Sequence, residues 1–427
     1  MILIYRILST LLYPLLFIFV YYRKIINKED KIRYKEKILI SHFKVIKKKK
    51  SKLIWFHAAS IGEFKSIIPI IKQLNYYRKN LKFLITTNTL SSGNVVKLEL
   101  GKIKNIEHRY FPLDVPFLIE KFFQLWKPDK LFLVDSEIWP NLVLAAKKNK
   151  TPIALINARL TSKSFRRWMI FSKATKEIFS IFSLFICSNK ETKSYFKKLN
   201  LENVYFNGNL KFAGNFEIKK IKNINKSILI KKKIWFAASI HKEEDLMCLK
   251  THLKLKEKFK NITTIIAPRH TYNSKRIKLL SERLNLKAQI LNRDDKIMRD
   301  NEIIIINYFG ALTSYFKYVK STFIGKSMIL KLKSQGGQNP IEAAKSGCKI
   351  YHGPYVYNFK DVYKFLEKNK ISKKIYNFKD LSKNLTFDFK YPQKQNLKNK
   401  YLINKIGKKT MADTMIHINN FLDDKKD

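Results

Sequence analysis

Short apolar runs alternate along most of the chain with longer stretches whose apolar residues follow a helical spacing, as in Ile67–Asn80 and Glu243–Phe259. Such runs are typical of buried strands, and strands that alternate with helices predict parallel sheets. The predicted strands are Leu53–Ala58, Phe83–Thr87, Lys130–Val134, Pro152–Ile156, Leu184–Cys187 and Val204–Phe206, then Ile234–Ala238, Thr263–Ala267, Ile303–Ile306, Ser321–Ile324 and Lys349–Tyr351. The pattern therefore predicts an α/β protein with two sets of strands.

A segment rich in lysine and asparagine, Ala213–Lys233, separates the two sets and reads as a linker. A chain of 427 residues also exceeds what one hydrophobic core usually supports. We therefore predict two domains, residues 23–215 and 216–427, and a last helix over about residues 402–421.

The first 22 residues are almost wholly apolar or aromatic, apart from Arg6 and a few small polar residues, and lysines and arginines follow them. Their number is marginal for a helix that crosses a bilayer, which needs roughly 20 residues. The basic residues predict that the rest of the chain stays on the cytoplasmic side. We predict that residues 1–22 are a membrane anchor that either spans the bilayer or lies in its interface, where Arg6 can reach the headgroups. A buried N-terminal helix is the alternative.

The formal net charge is +53, from 86 basic and 33 acidic residues. Such a charge favours nucleic acid, anionic lipid or a phosphorylated substrate as partner. Because lysine, isoleucine and asparagine are all abundant, genome-wide base composition also explains the excess, and no nucleic-acid-binding module is visible. We therefore expect no nucleic-acid partner.

The three cysteines lie far apart, without the spacing of a zinc site or a disulfide framework, and fit a reducing compartment. No metal-binding motif is present, so we predict neither a metal nor another cofactor. The dinucleotide fingerprint GxGxxG and the P-loop are also absent, so the chain is neither an evident dehydrogenase nor an evident NTPase.

Two turns, Ser60–Glu63 and Gly336–Glu342, each precede a helical pattern with a carboxylate in its first turn. Backbone N–H groups and the positive helix end at such a turn suit an anion or a phosphate. Both turns equally fit the capping box, in which Ser60 or Asn339 caps the helix and Pro340 takes the first helical position. The spacing alone does not choose between a helix cap and an active site.

A series of short motifs resembles, in order, the Kdo transferases (3-deoxy-D-manno-octulosonic acid transferases, glycosyltransferase family 30). The resemblance extends from the N-terminus to about Phe359, and any one motif alone would be a weak signal. The motifs are His57–Glu63, Thr86–Thr89, Asp135–Asn141, Asn157–Leu160, Gly208–Phe212, Ala238–His241, Ala267–His270, Gly336–Ala344, Gly353–Pro354 and Asn358–Phe359.

The resemblance implies a GT-B fold, in which two Rossmann-like domains face a cleft and the last helix crosses back to the first domain. It implies an inverting, metal-independent transfer of Kdo from CMP-Kdo to a phosphorylated lipid A precursor (lipid IVA) in lipopolysaccharide core biosynthesis. The acceptor would bind the first domain and CMP-Kdo the second. The enzyme would be anchored at the cytoplasmic face of the inner membrane.

The family's catalytic base corresponds to Glu63, a carboxylate suited to take the proton of an attacking hydroxyl. Arg269 suits the phosphate, and Glu342 suits hydroxyls of the ribose. The full set of implied CMP contacts is Pro268, Arg269, Phe309, Gly310, Ala311, Asn339, Pro340, Ile341 and Glu342.

Further substrate contacts fall on Ser60, Gly62, Glu137, Arg159 and His241. Glu137 is equally consistent with a structural role in the turn that follows it. Arg159 is equally consistent with a structural ion pair, and His241 with a helix cap.

The chain departs from the family at several positions of the second domain. Ala311 stands where the family usually has glutamate, Gln338 and Tyr355 stand for histidines, and Gly325-Lys326-Ser327 stands for Gly-Gly-Ser. Another GT-B enzyme that uses a nucleotide sugar, such as a heptose transferase or a sugar epimerase, therefore stays open. A decayed, non-catalytic binder of anionic lipid is the other alternative, although the retained Glu63, Arg269 and Glu342 argue against decay.

Overall fold

The computed structural model of the protein describes residues 1–43, 45, 51–214, 225–308, 310–391 and 396–424. The chain forms two compact units, Met1–Asn215 together with Ile406–Asp427, and Phe216–Lys405. Each unit is built on a seven-stranded sheet whose neighbouring strands all run parallel.

The first sheet has the strand order β3-β2-β1-β4-β5-β6-β7. Its strands are β1 Lys52–His57, β2 Leu81–Thr87, β3 Ile106–Tyr110, β4 Lys130–Val134, β5 Ile153–Ala158, β6 Phe182–Cys187 and β7 Val204–Phe206. The helices of this unit are α1 Ile2–Leu11, α2 Tyr13–Ile25, α3 Ile61–Tyr77, α4 Leu90–Leu100, α5 Pro116–Trp126, α6 Pro140–Lys148, α7 Ser162–Met169, α8 Ser172–Phe179 and α9 Lys190–Lys198.

The second sheet has the strand order β10-β11-β9-β8-β12-β13-β14. Its strands are β8 Lys233–Ile240, β9 Ile262–Pro268, β10 Ala288–Leu291, β11 Ile303–Ile306, β12 Ser321–Ile324, β13 Lys349–His352 and β14 Ser372–Lys374. The helices that follow in the chain are α10 Lys226–Lys231, α11 Glu244–Lys256, α12 Ser274–Arg283, α13 Leu312–Phe316, α14 Ile341–Lys345, α15 Lys360–Lys368, α16 Phe378–Asp388 and α17 Leu397–Asp423. Helix α17 begins in the second unit and ends in the first.

The prediction of an α/β protein with two Rossmann-like, parallel sheets is confirmed. The central strands are apolar because both faces of a parallel sheet are covered by helices. In the first unit, for example, Phe56 of β1 stacks on Phe132 of β4 with the ring centroids 4.7 Å apart, and both side chains are fully buried. The three strands that the sequence did not predict, β3, β10 and β14, all lie at an edge of a sheet.

Helices α1 and α2 rest on the first unit by one side only. Tyr5 donates a hydrogen bond to Asp114 at 2.9 Å, Arg6 forms an ion pair with Glu120 at 3.0 Å, and Val20 is the one fully buried residue of the pair. The N-terminal segment is therefore not the buried core helix that was the alternative to an anchor.

None of the described helices is by itself both long and apolar enough to span a membrane. Helices α1 and α2, bent by 55° where they meet, satisfy the criteria of length and composition only as a pair. Membrane anchoring stays a prediction.

Candidate functional site

Glu63 lies in the first turn of α3, just after the carboxyl end of β1. Ser60 caps the helix: its Oγ accepts from the Glu63 N–H at 3.4 Å and donates to Glu63 Oε1 at 2.7 Å. The other carboxylate oxygen, Oε2, accepts from the N–H of Ala59 at 2.8 Å. The capping box predicted for this turn is therefore present, and it fixes the position of the Glu63 carboxylate.

Gly62 of the same turn is exposed, and a Cβ there would approach Ser60 Oγ only to 4.0 Å. Packing within the described residues therefore does not require glycine at this position.

A buried histidine and a tryptophan share a threonine hydroxyl beneath this turn. The Trp55 indole donates to Thr86 Oγ1 at 2.8 Å, and His57 Nδ1 lies 2.9 Å from the same oxygen. The Thr86 hydroxyl can accept from the indole and pair with Nδ1 at the same time, and His57 Nε2 is the ring nitrogen outside this pair. That Nε2 points at Glu137 Oε2, 3.6 Å away.

Glu137 follows β4 and lies between two ring nitrogens. The Trp139 indole donates to its Oε2 at 2.9 Å, on the same oxygen that His57 Nε2 faces. The structure thus shows the contact expected if Glu137 holds the turn before α6.

The carboxyl ends of β4 and β5 meet in a second polar network. Asp135 accepts from the Asn157 side chain and, at 2.8 Å, from the ammonium of Lys211, while Asn157 Oδ1 accepts from the N–H of Leu210 at 2.8 Å. Asp135 and Asn157 both adopt positive φ, at 59° and 52°. The sequence motifs contain these residues, but the hydrogen-bond network that joins them was not predicted. The feature that could have indicated it is the presence of aspartate and asparagine, which tolerate positive φ, at the ends of two predicted strands.

Burial, together with the nearby carboxylates of Asp135 and Glu137, raises the pKa of Glu63 to about 7, against the opposing effects of the Ser60 hydrogen bond and the Lys211 ammonium. A carboxylate in this range is half ionised near neutral pH. It can therefore take a proton there and hold it more strongly than an ordinary glutamate would.

Arg159 joins the same strand end through its backbone, because its N–H donates to the carbonyl of Asp135 at 3.0 Å. Its guanidinium makes no ion pair within the described part of the chain. The structural ion pair considered for Arg159 is thus not found there.

In the second unit, the carboxyl ends of the adjacent strands β9, β8 and β12 carry Arg269, His241 and Lys326. The Arg269 N–H donates to the Ile240 carbonyl at 2.8 Å, while its side chain is exposed and has no ion-pair partner among the described residues. Pro268 ends β9 immediately before it.

Burial lowers the pKa of His241 to about 4, with Lys326, His270 and Arg269 adding repulsion. Burial and Arg269 likewise lower the pKa of Lys326. His241 is therefore neutral at pH 7, and its Nε2 accepts from the Gln338 amide at 3.2 Å. The charged side chains of Arg269 and Lys326 concentrate positive charge at these strand ends, which fits an anionic ligand.

The turn that contains Gly336 and Gly337 requires both glycines. A Cβ on Gly336 would lie 2.2 Å from the Tyr355 carbonyl oxygen, and Gly337 has φ of 85°. The backbone therefore passes closer to its neighbours than any side chain would allow.

The capping box predicted for this second turn is not formed. Helix α14 begins at Ile341, one residue later than predicted, and Pro340 takes the cap position without a side-chain cap bond. Asn339 Oδ1 instead accepts from the N–H of Ile341 at 3.0 Å, which closes a local turn. Glu342 is half-buried in the first turn of α14.

Gly310 is exposed, has φ of 84° and has no atom within 4 Å of a Cβ position. Ala311, which follows it, is buried at the start of α13. Phe309, the third residue of this predicted contact, lies outside the described residues.

The sequence did not predict any role for Glu244. Its buried carboxylate accepts four backbone hydrogen bonds at 2.7–3.0 Å, from His241, Lys326, Ser327 and Met328. The N–H groups of the loop after β12 are thus occupied by a carboxylate of the chain itself.

Residues 33–214 match the family model of 3-Deoxy-D-manno-octulosonic-acid transferase (kdotransferase). A probable mitochondrial 3-deoxy-D-manno-octulosonic acid transferase of Arabidopsis thaliana is 30% identical over 378 residues, which cover 85% of this chain and 83% of the relative. The 3-deoxy-D-manno-octulosonic acid transferase of Rickettsia prowazekii is 29% identical, with 90% of this chain and 91% of the relative covered.

Among solved structures, the UDP-GlcNAc 2-epimerase of Neisseria meningitidis bound to UDP-GlcNAc superposes with a TM-score of 0.59 and 15% identity, over 87% of this chain and 100% of the epimerase. A glycosyltransferase from Rickettsia africae superposes with a TM-score of 0.53 and 12% identity, over 87% of this chain and 97% of the other. At these identities the likeness concerns the fold, and it agrees with the predicted GT-B class. The identity to the Arabidopsis relative, over most of both chains, shows that the protein belongs to the 3-deoxy-D-manno-octulosonic acid transferase family.

Proposed function

We propose that this protein transfers Kdo from CMP-Kdo to a hydroxyl of a phosphorylated lipid A precursor, lipid IVA, in lipopolysaccharide core biosynthesis. The transfer inverts the configuration of the sugar and needs no metal. The observation that carries the proposal is Glu63, a capped and oriented carboxylate whose pKa burial raises to about 7, in a chain that belongs to this family.

Glu63 acts as the general base in this mechanism. As the acceptor hydroxyl oxygen forms a bond to the anomeric carbon of Kdo, its proton passes to the Glu63 carboxylate, and the bond from that carbon to the CMP phosphate oxygen breaks. A single displacement of this kind inverts the anomeric centre. The base is most effective when its pKa lies near the operating pH, as the pKa of Glu63 does.

The second unit binds the donor in this mechanism and stabilises CMP as it leaves. Arg269 is exposed at a strand end and has no described carboxylate partner, so it is available to the phosphate. The turn around Gly337 and Asn339 brings backbone close to the same strand ends, and Glu342 supplies an acceptor for ribose hydroxyls. The positive charge of Arg269 offsets the negative charge that develops on the leaving group.

Helices α1 and α2 attach the enzyme to the cytoplasmic face of the inner membrane in this proposal. Apolar side chains project from both helices on the side away from the first unit, with Leu11 69% and Leu15 62% exposed. Lys24 in the last turn of α2 suits anionic headgroups, whereas the neighbouring Arg23 pairs with Glu29 at 2.7 Å.

The first experiment is mass spectrometry of lipid IVA after incubation with the purified protein and freshly generated CMP-Kdo. We expect a mass gain of one or more Kdo units. Glu63→Gln should slow the transfer roughly 100- to 10,000-fold and leave CMP binding unchanged, because it removes the base and keeps the shape. Glu177→Gln, an exposed carboxylate on α8, is the control and should transfer at the wild-type rate.

Transfer by Glu63→Gln at the wild-type rate would remove Glu63 as the base. A wild-type protein that adds no Kdo, and that UDP stabilises thermally in place of CMP, would favour the alternative of another nucleotide-sugar enzyme.

Arg269→Ala tests the donor site. It should weaken CMP binding about tenfold or more, because a charge-assisted hydrogen bond to phosphate contributes roughly 1.5–3 kcal/mol. Arg283→Ala, an equally exposed arginine on α12, is the matched control and should bind CMP as the wild type does. Calorimetric titration with CMP measures both, and equal affinities would exclude Arg269 from the site.

A further inference from the structure

Lys326 occupies the turn after β12, between Gly325 and Ser327, at the position where the resembled family usually has glycine. Its backbone has φ of 59°, in the left-handed region that glycine adopts freely and lysine seldom does. Lys326 therefore has a long basic side chain on a backbone conformation that glycine adopts more easily.

The sheet register sets Lys326 beside the predicted phosphate-binding arginine. Strand β8 pairs with β12 on one side, through Ala238 and Ile324, and with β9 on the other. Because all three strands are parallel, Arg269 and Lys326 leave the same edge of the sheet on either side of β8.

The backbone on both sides of Lys326 is held in place. Its N–H donates to Glu244 Oε2 at 2.7 Å, and its carbonyl accepts from the N–H of Gly337 at 2.5 Å. The second bond joins Lys326 directly to the glycine turn predicted to contact the donor. The side chain therefore projects from a fixed point of the candidate donor site.

Lys326 is half-buried as a residue, and its ammonium makes no ion pair with any described residue. The Glu244 carboxylate, at the start of α11, contacts this turn but already accepts four backbone N–H groups. Burial and the charge of Arg269 lower the pKa of Lys326, so the two cations repel each other. An anion bound by both would relieve that repulsion.

We propose that Lys326, together with Arg269, binds the phosphate of the donor nucleotide. The proposal rests on the proposed function. It assigns to Lys326 a role in donor affinity and none in the base chemistry of Glu63.

The test compares cytidine with CMP as ligands of the full chain, by calorimetric titration at one salt concentration. Lys326→Gly should lower the affinity for CMP about tenfold, which corresponds to roughly 1.4 kcal/mol, and leave the weaker affinity for cytidine unchanged. Lys326→Arg should keep most of the CMP affinity. Lys370→Gly is the matched control, because Lys370 is exposed, has φ of 56° and belongs to the same unit.

Glycine relieves the left-handed strain, and we therefore expect Lys326→Gly to fold. Lys326→Met, which keeps the aliphatic stem and loses the charge, should show the same selective loss. Unchanged CMP affinity in both variants would overturn the proposal, and so would an equal loss for CMP and cytidine, which would indicate a structural role. A wild-type chain that binds neither ligand would overturn the proposed function and this inference with it.

Discussion

The protonation state of Glu63 depends on side chains that other elements of the first unit bring to it. Asp135 and Glu137, from the end of β4, raise its pKa, and Lys211 lowers it. Lys211 and Asp135 also pair with each other at 2.8 Å, so each partly cancels the effect of the other on Glu63.

Asp135→Asn should lower the pKa of Glu63, because it removes one carboxylate and releases Lys211 from its ion pair. If Glu63 is the base, the rate of transfer falls as pH falls through the pKa of Glu63, near 7 in the wild type. The acid limb of the profile of kcat/KM against pH should therefore move to lower pH in the variant. Asparagine keeps the shape of aspartate and tolerates the positive φ of this position.

Lys211→Met should move the same limb in the opposite direction, to higher pH, since it leaves the carboxylates without their cation. If the acid limbs of the Asp135→Asn and Lys211→Met profiles move in the same direction, or if neither moves, the limb reports the ionisation of a group other than Glu63.

The cap and the helix position of Glu63 could be predicted from the sequence, because Ser60 and Glu63 have the spacing of a capping box. Its role as the base stays a proposal. The raised pKa could not be predicted, because Asp135, Glu137 and Lys211 are distant in sequence and meet only where parallel strands end together. Likewise, Asn339 and Glu342 match the capping-box spacing, yet the helix begins one residue later. Local spacing does not report the tertiary contacts that decide where a helix begins.

Among the elements, all the predicted strands exist, with slightly different ends. Two of the three strands that were missed lack the apolar run on which the prediction relied. Strand β14 is Ser-Lys-Lys and β3 is Ile-Glu-His-Arg-Tyr, so neither has the apolar run of a central strand. An edge strand has one neighbour and more exposure, and polar side chains there discourage pairing with another chain. An apolar-run criterion therefore recovers central strands of a parallel sheet better than its edges.

Helix α11 and the loop after β12 are joined by the Glu244 carboxylate, which accepts four backbone N–H groups. Burial raises the pKa of Glu244, and those hydrogen bonds oppose the rise by stabilising the charged form. The carboxylate thus takes up loop N–H groups that would otherwise face an anion. In the proposed donor site, positive charge would therefore come from side chains.

Glu244→Gln should destabilise this loop. Glutamine offers one acceptor oxygen, and its amide group would face two of the N–H donors, each of which costs roughly 1–3 kcal/mol when left unpaired and buried. We expect amide hydrogen exchange at Lys326, Ser327 and Met328 to accelerate at least tenfold. Glu257→Gln, at the exposed end of the same helix, should leave those amides as slow as in the wild type; equal protection in both variants would contradict the prediction.

For the whole molecule, the sequence predicted two α/β units and the family, because parallel strands leave strong apolar runs and the motifs follow in order. The position of the proposed N-terminal anchor could not be predicted, since a short apolar segment followed by lysines fits a spanning helix and an interfacial one equally. The structure adds that one side of the pair contacts the first unit through Tyr5 and Arg6. A segment fixed to its domain in this way is more consistent with a position in the membrane interface than with a straight helix across the bilayer.

If the protein attaches to membranes as proposed, its net charge of +53 and the apolar face of α1 and α2 should make separable contributions to the binding. The electrostatic part should weaken as salt rises, because ions screen it over about 10 Å at 0.1 M, whereas the apolar part should persist. The double variant Leu11→Gln, Leu15→Gln should therefore lose most binding to anionic vesicles at high salt, where the wild type keeps a measurable fraction. Each buried leucine contributes roughly 1.5–3 kcal/mol, or about tenfold or more.

The matched control is Leu98→Gln, Leu279→Gln, which changes two leucines of similar exposure, 68% and 59%, on α4 and α12. It should sediment with vesicles of phosphatidylglycerol and phosphatidylcholine as the wild type does at every salt concentration. If both double variants bind equally at high salt, the N-terminal helices are not the membrane contact. If the wild type itself is released completely by salt, charge alone attaches the protein, and the exposed apolar face of α1 and α2 needs another explanation.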